Sequence, residues 1–104
     1  MSTEIADMHR THDLKTWPEP FVALAEGRKR FEYRRDDRGY QVGDSLRLRQ
    51  WVNDAVGGYY TGAEVRARVV YIARGPDFGI PDGFCVMSLS EVRVVRDDIP
   101  ESSS

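Results

Sequence analysis

Residues 26–35, EGRKRFEYRR, hold five basic side chains and two acidic ones around two aromatics. Three of them have the types and spacing for chemistry: Lys29, Glu32 and Arg34. Lys29 is one of two lysines beside thirteen arginines. Its compact ammonium suits phosphate contact or proton transfer. Glu32 can accept hydrogen bonds from an exocyclic amine, as carboxylates do with cytosine, or act as a base on water. Arg34 can hold a phosphate or pair with Glu32 through its fork of donors. The plainer alternatives are a solvated lysine favoured by a helix C-terminus and an ion pair that braces a sheet.

These residues need a helix end and a strand to place them. "HDLKTW", residues 12–17, alternates Leu14 and Thr16 against Asp13, Lys15 and Trp17, which predicts a short strand. Pro18 and Pro20 suit the first turn of a helix, where amide donors are not needed. Phe21, Leu24 and Ala25 then share a helical face, and Gly27 is a terminator. Lys29 therefore falls just past a helix. "RFEYRR" alternates next, with Phe31 and Tyr33 on one face and Arg30, Glu32 and Arg34 on the other. Tyr33 is expected to point toward the core.

Further strands follow. "SLRLRQWV" sets Leu46 and Leu48 inward, and "EVRARVVYIAR" sets Val65, Ala67, Val69 and Tyr71 on one face. In "FCVMSLSEVRVV" Cys85, Met87 and Leu89 share a face, while Val92 and Val94 fall out of phase. That slip predicts a bulge near Glu91. Five or six strands and one main helix after the first strand predict a mostly β, α+β fold. The expectation is a small barrel with the helix plugging one end. An open antiparallel sheet covered by the helix is the competing arrangement.

Length and composition agree with one domain. The chain has 104 residues, 40% hydrophobic, with a formal net charge of -2. The expected division is a flexible segment over 1–11, a folded domain over 12–96 and a disordered tail over 97–104. Charge is unevenly spread. Between residues 28 and 49 there are eight bases (Arg28, Lys29, Arg30, Arg34, Arg35, Arg38, Arg47, Arg49) and four acids (Glu32, Asp36, Asp37, Asp44), an excess of +4. Such a face steers an anionic ligand on an otherwise acidic molecule. Cys85 is the single cysteine, which excludes an internal disulfide and a multi-thiolate zinc site. No apolar run is long enough to span a bilayer, and the first ten residues lack a secretory pattern, so the cytoplasm is the expected location and no membrane partner is expected.

The pattern Gly27-x-Lys29-x-x-Glu32-x-Arg34 after a strand and a short helix, with Val42-Gly43-Asp44 before the next strand, resembles the ASCH domain of the PUA-like barrels. The similarity runs from about His12 to Val95. "HDLKTWPEPF", "GRKRFEYR", "YTG" at 60–62 and "FGIPDGFCVMSLS" are most similar to a short bacterial and phage branch of unknown function. The resemblance implies a PUA-like β-barrel and an RNA or nucleoside-like ligand between the helix end and the barrel. Some family members are amidohydrolases that deacetylate N4-acetylcytidine with a Lys, a Thr and a Glu. The Lys matches Lys29. The Thr falls where this chain has Glu32, and the Glu lies in an insertion for which "ARGPDFGIPDG" leaves no room. A ribonuclease activity in the wider family maps to no motif here.

Trp17 and Tyr33 are candidate stacking platforms, since bases bind aromatic faces. Trp51, Tyr59 and Tyr60 flank a turn and are expected to cover a barrel end. Ser88 and Ser90 share a face that can line the cleft. His9 and His12 have no Ser or Cys nucleophile arrangement beside them, and a loose terminus is a poor place for metal ligands, so neither a metal nor another cofactor is expected. Cys85 is expected to be buried and inert. The resulting expectation is an RNA- or nucleoside-binding module with a ligand site of Lys15, Trp17, Lys29, Glu32, Tyr33 and Arg34. The alternatives are a small hydrolase with Lys29 and Glu32 as its catalytic groups, and a protein-interaction module. The oligomeric state is left open.

Overall fold

The computed structural model of the chain describes residues 9–96. Most of the expected flexible segment, over 1–8, and the expected disordered tail, over 97–104, lie outside the described residues. The elements are β1 (Thr11–Thr16), α1 (Pro18–Ala25), β2 (Phe31–Arg35), β3 (Ser45–Val52), β4 (Tyr59–Arg74), a 3-10 turn (Asp77–Gly79) and β5 (Phe84–Arg96). Five strands thus form, with one main helix after the first. They make a single sheet in the order β1-β3-β4-β5-β2, curled into a half-barrel. β1 runs parallel to β3, and the other neighbours are antiparallel. The sheet is therefore mixed. β1 and β2 are its two edges and do not pair with each other.

Alternation decides what each strand buries. β1 turns His12, Leu14 and Thr16 inward, and β3 turns Leu46 and Leu48 inward. Val65, Ala67 and Val69 of β4 and Cys85, Met87 and Leu89 of β5 complete the core. Tyr71 leaves the expected pattern. The β4–β5 register shifts between Val69 and Tyr71, which turns Tyr71 outward at 58% exposure and brings Ile72 against the core instead. The slip expected near Glu91 is present: Glu91 has φ 53, and Val92 packs on the core while Val94 is exposed.

α1 carries the chain from one sheet edge toward the other and packs across the inside of the curl against β3, β4 and β5. Its first turn holds Pro18 and Pro20. Phe21 and Leu24 are buried, whereas Ala25 is exposed. Gly27, at φ 82, closes the helix: the Gly27 amide donates to the Leu24 carbonyl and the Arg28 amide to the Ala23 carbonyl. This is the glycine-dependent double closure of a helix C-terminus.

The Val42-Gly43-Asp44 turn has a structural role. Asp44 is 1% exposed. Its carboxylate accepts from the amides of Arg10 (3.1 Å) and Gln41 (3.0 Å) and from His12 Nε2 (2.8 Å). Gly43 has φ 101, and a Cβ there would run into the His9 ring. The turn thus ties the lead into β1 to the start of β3.

Candidate functional site

β2 keeps the expected alternation with the opposite direction. Glu32 is buried at 5% exposure, while Phe31 and Tyr33 are exposed. Tyr33 is accordingly not a core residue; it stacks on Phe84 at 5.4 Å between ring centroids. A carboxylate can take the inward position here because it is neutralised from both sides. Lys29 Nζ donates to Glu32 Oε1 at 3.0 Å and Arg34 Nε donates to Oε2 at 2.6 Å. A buried ion is tolerated only with such partners.

Each cation is held in turn. Lys29 Nζ also donates to the Phe31 carbonyl (2.8 Å) and lies 4.6 Å from the Phe31 ring centroid. The helix closure fixes its backbone, since the Lys29 amide donates to the Ala23 carbonyl. Arg34 Nη2 reaches the Lys15 carbonyl of β1 at 2.7 Å. Arg38 Nη1 reaches the Asp13 carbonyl at 2.7 Å. Two carbonyls two residues apart point to the same side of a strand. The open seam between β1 and β2 is therefore bridged by guanidinium groups, with Glu32 behind one of them.

A cleft of about 310 Å³ opens at this seam. All six candidates, Lys15, Trp17, Lys29, Glu32, Tyr33 and Arg34, line it. Trp17 and Tyr33 stand at its wall, 49% and 46% exposed. Thr16, Pro20 and Phe31 line it too, and the sequence did not single them out. Thr16 had a signal: it alternates inward with Leu14 and immediately precedes Trp17. Its Oγ1 donates only a long 3.5 Å bond to the Leu14 carbonyl.

A wider hollow, about 500 Å³, is lined by Gly39, Tyr40, Val42, Tyr71 and Arg74 among others. Its guanidinium is already committed, Arg74 donating to Asp36 (2.8 Å) and to the Tyr40 carbonyl (2.6 Å). It offers little polar chemistry, so the smaller cleft is the better candidate.

Other singled-out residues lie elsewhere. Ser88 and Ser90 do not line the cleft; they pair along β5 with Tyr71 and Arg68 of β4. Cys85 is fully buried, and burial above all, helped by the nearby Asp36, pushes its thiol pKa up. Burial alone would raise the Asp44 carboxyl. The hydrogen bonds from His12 and from the Arg10 and Gln41 amides outweigh that and hold it below the usual carboxylate range. His12 also meets the Tyr40 ring edge-on at 4.7 Å, so it is a core residue. Among the described residues, no group of three or more His, Cys, Asp and Glu side chains could hold a metal ion. No helix among them is long and apolar enough to cross a membrane.

A curled five-stranded half-barrel with a charged, aromatic-walled cleft at its seam is the class of structure that these features define. Residues 11–89 match the model of a family described as a domain of unknown function, DUF3850, and the chain belongs to that family. It is also similar to the "Uncharacterized 12.9 kDa protein in GpA 3'region" of Escherichia phage P2, 40% identical over 62 residues. That match covers 60% of this chain and 53% of the phage protein, so the chain spans about half the length of that relative.

Proposed function

We propose that the chain is an ASCH-like module of PUA-like type that binds RNA or a nucleoside-like ligand in the seam cleft. One observation carries the reading: a buried carboxylate paired with two cations on the floor of a concave site, between exposed aromatic walls. Both Glu32 oxygens take one charge-assisted bond, from Lys29 and from Arg34. A carboxylate has about four lone-pair positions, so it can still accept from an exocyclic amine. Trp17 and Tyr33 offer π-faces at the mouth, and base stacking on such faces is worth about 1–3 kcal/mol per base. The remaining donors of Lys15, Lys29 and Arg34 suit a phosphate.

The second reading is a small hydrolase acting on an acylated cytidine or on RNA. Thr16 favours keeping it, because it brings a hydroxyl into the cleft that holds Lys29 and Glu32. Its hydroxyl donates to its own strand's Leu14 carbonyl at 3.5 Å, and among the described residues no base is bonded to it. Binding is therefore the better reading. A thermal-shift screen with nucleosides, modified nucleosides and short RNAs tests it, because a ligand of the native state raises the apparent melting temperature. A positive ligand whose shift survives both Lys29→Ala and Glu32→Ala would count against this cleft.

A further inference from the structure

The outer face of β1, β3 and β4 carries a second cluster next to the cleft. Lys15 Nζ lies 4.2 Å from the ring centroid of Trp51, and the Arg49 guanidinium lies 3.9 Å from that of Tyr60. Trp51 and Tyr60 meet edge-to-face at 4.9 Å across the β3–β4 pair. Lys15 and Arg49 are themselves register partners across β1 and β3. Lys15 belongs to both places, since it also lines the cleft.

Their ion pairing distinguishes these cations from those beside them. Among the described residues, Lys15 and Arg49 have no carboxylate partner. The neighbouring Arg47 and Arg66 are paired with Asp13 and Glu64, and Lys29 and Arg34 with Glu32. A cation lying on a ring face keeps its N–H donors available at the outer side. A planar guanidinium on a tyrosine also presents a flat surface on which a further base can stack. Two strand spacings separate β1 from β4, about 10 Å. A ligand that fills the cleft and lies over Tyr60 at once has more than one base.

We propose that the cleft is one end of a longer track, and that Lys15 and Arg49, laid on Trp51 and Tyr60, hold the backbone phosphates of a single-stranded polynucleotide whose base occupies the cleft. This rests on the nucleoside-binding reading of the cleft and extends it: the natural ligand is a strand and not a free nucleoside. The expectation of Trp51 and Tyr60 as a mere cover for the barrel end gives way to a role in binding.

The test is the length dependence of affinity at low salt. It uses uridine 5′-monophosphate, octauridylate and octathymidylate, read by quenching of tryptophan fluorescence. At least one octamer should bind tenfold or more tighter than the monophosphate, and the two octamers separate RNA from DNA as the strand. Arg49→Ala and Tyr60→Ala, each checked for an intact circular-dichroism spectrum and melting temperature, should remove most of that gap. Arg49→Ala should also lower the log–log salt slope by about 0.7, the value for one phosphate contact to a single strand. Monophosphate binding with no gain for either octamer overturns the track and leaves the cleft. A gap that both variants leave intact does the same. No binding by any of the three overturns the track and the cleft reading together.

Discussion

Arg34 joins the two edges of the sheet: its Nη2 lies 2.7 Å from the Lys15 carbonyl of β1 while its Nε holds Glu32 on β2. One side chain both closes the seam and neutralises the buried carboxylate. Arg34→Ala should therefore cost about 2–3 kcal/mol, as expected for charge-assisted bonds whose partner stays buried. Arg34→Lys should recover less than half, because an ammonium does not span both acceptors. Urea unfolding of the three proteins measures this. Equal midpoints for wild type and Arg34→Ala would show that the bridge contributes nothing.

Asp44 gives an acid-side prediction. Its carboxyl is held below its ordinary pKa in the folded protein. The stability it contributes is thus fully present above its unfolded pKa, about 3.9. It is lost as pH falls through the lower folded value. Asp44→Asn should cost about 1–3 kcal/mol at pH 7, since it weakens three hydrogen bonds at a buried site. The difference from wild type should shrink as pH falls below about 4. A difference that stays constant from pH 7 to pH 3 would mean that charge at Asp44 plays no part.

Cys85 should behave as a small buried hydrophobe. Cys85→Ala should lower stability by about 1–2 kcal/mol through lost burial and a small cavity. The native thiol should react with a disulfide reagent far more slowly than the unfolded one, since burial both blocks access and disfavours the thiolate. Rapid labelling of native protein would contradict the register of β5.

How far the sequence reveals this molecule varies with the range of the interaction. α1 is legible because its signals are local: two prolines at its start and Gly27 past its end. The bulge at Glu91 is legible as a break in phase. The direction of β2 is not, because alternation fixes which residues share a face and not which face is inward. Aromatics on one face outvote a carboxylate on the other until its two cations are seen to neutralise it. Tyr71 fails for a related reason, a register shift with no local mark. The seam joins Lys15 to Arg34 and Asp13 to Arg38, and Asp44 binds His12, 32 positions away. Side-chain bridges of that range leave no periodic trace. The six candidate residues nevertheless share one cleft, because the strand before α1 and the strand after it become the two edges facing the same opening.

Salt should report on the basic face. If single-stranded RNA binds, the log–log slope of affinity against salt should be about -2 to -4, given the few phosphates that one such face can reach. Isothermal titration from low to physiological salt supplies the slope. An affinity independent of salt would point to an uncharged ligand.

Whether the cleft is catalytic turns on Glu32. Hydrolysis of an amide such as N4-acetylcytidine needs a nucleophile or an activated water, with a base to take its proton. Both Glu32 oxygens are already bonded to cations, so the carboxylate is not placed as a free base beside a water. Lys29 is likewise engaged by Glu32 and the Phe31 carbonyl. Little or no acetate should be released from N4-acetylcytidine by the natural protein. Lys29→Ala and Glu32→Ala should each weaken ligand binding by about 1–3 kcal/mol, the worth of a charge-assisted contact. Thr16→Ala, which removes an aliphatic hydroxyl from the lining of the cleft, should leave binding within a factor of about two. Robust acetate release that is abolished by Thr16→Ala or Lys29→Ala would instead make the chain a hydrolase, with Thr16 as the group to examine for a covalent acyl intermediate.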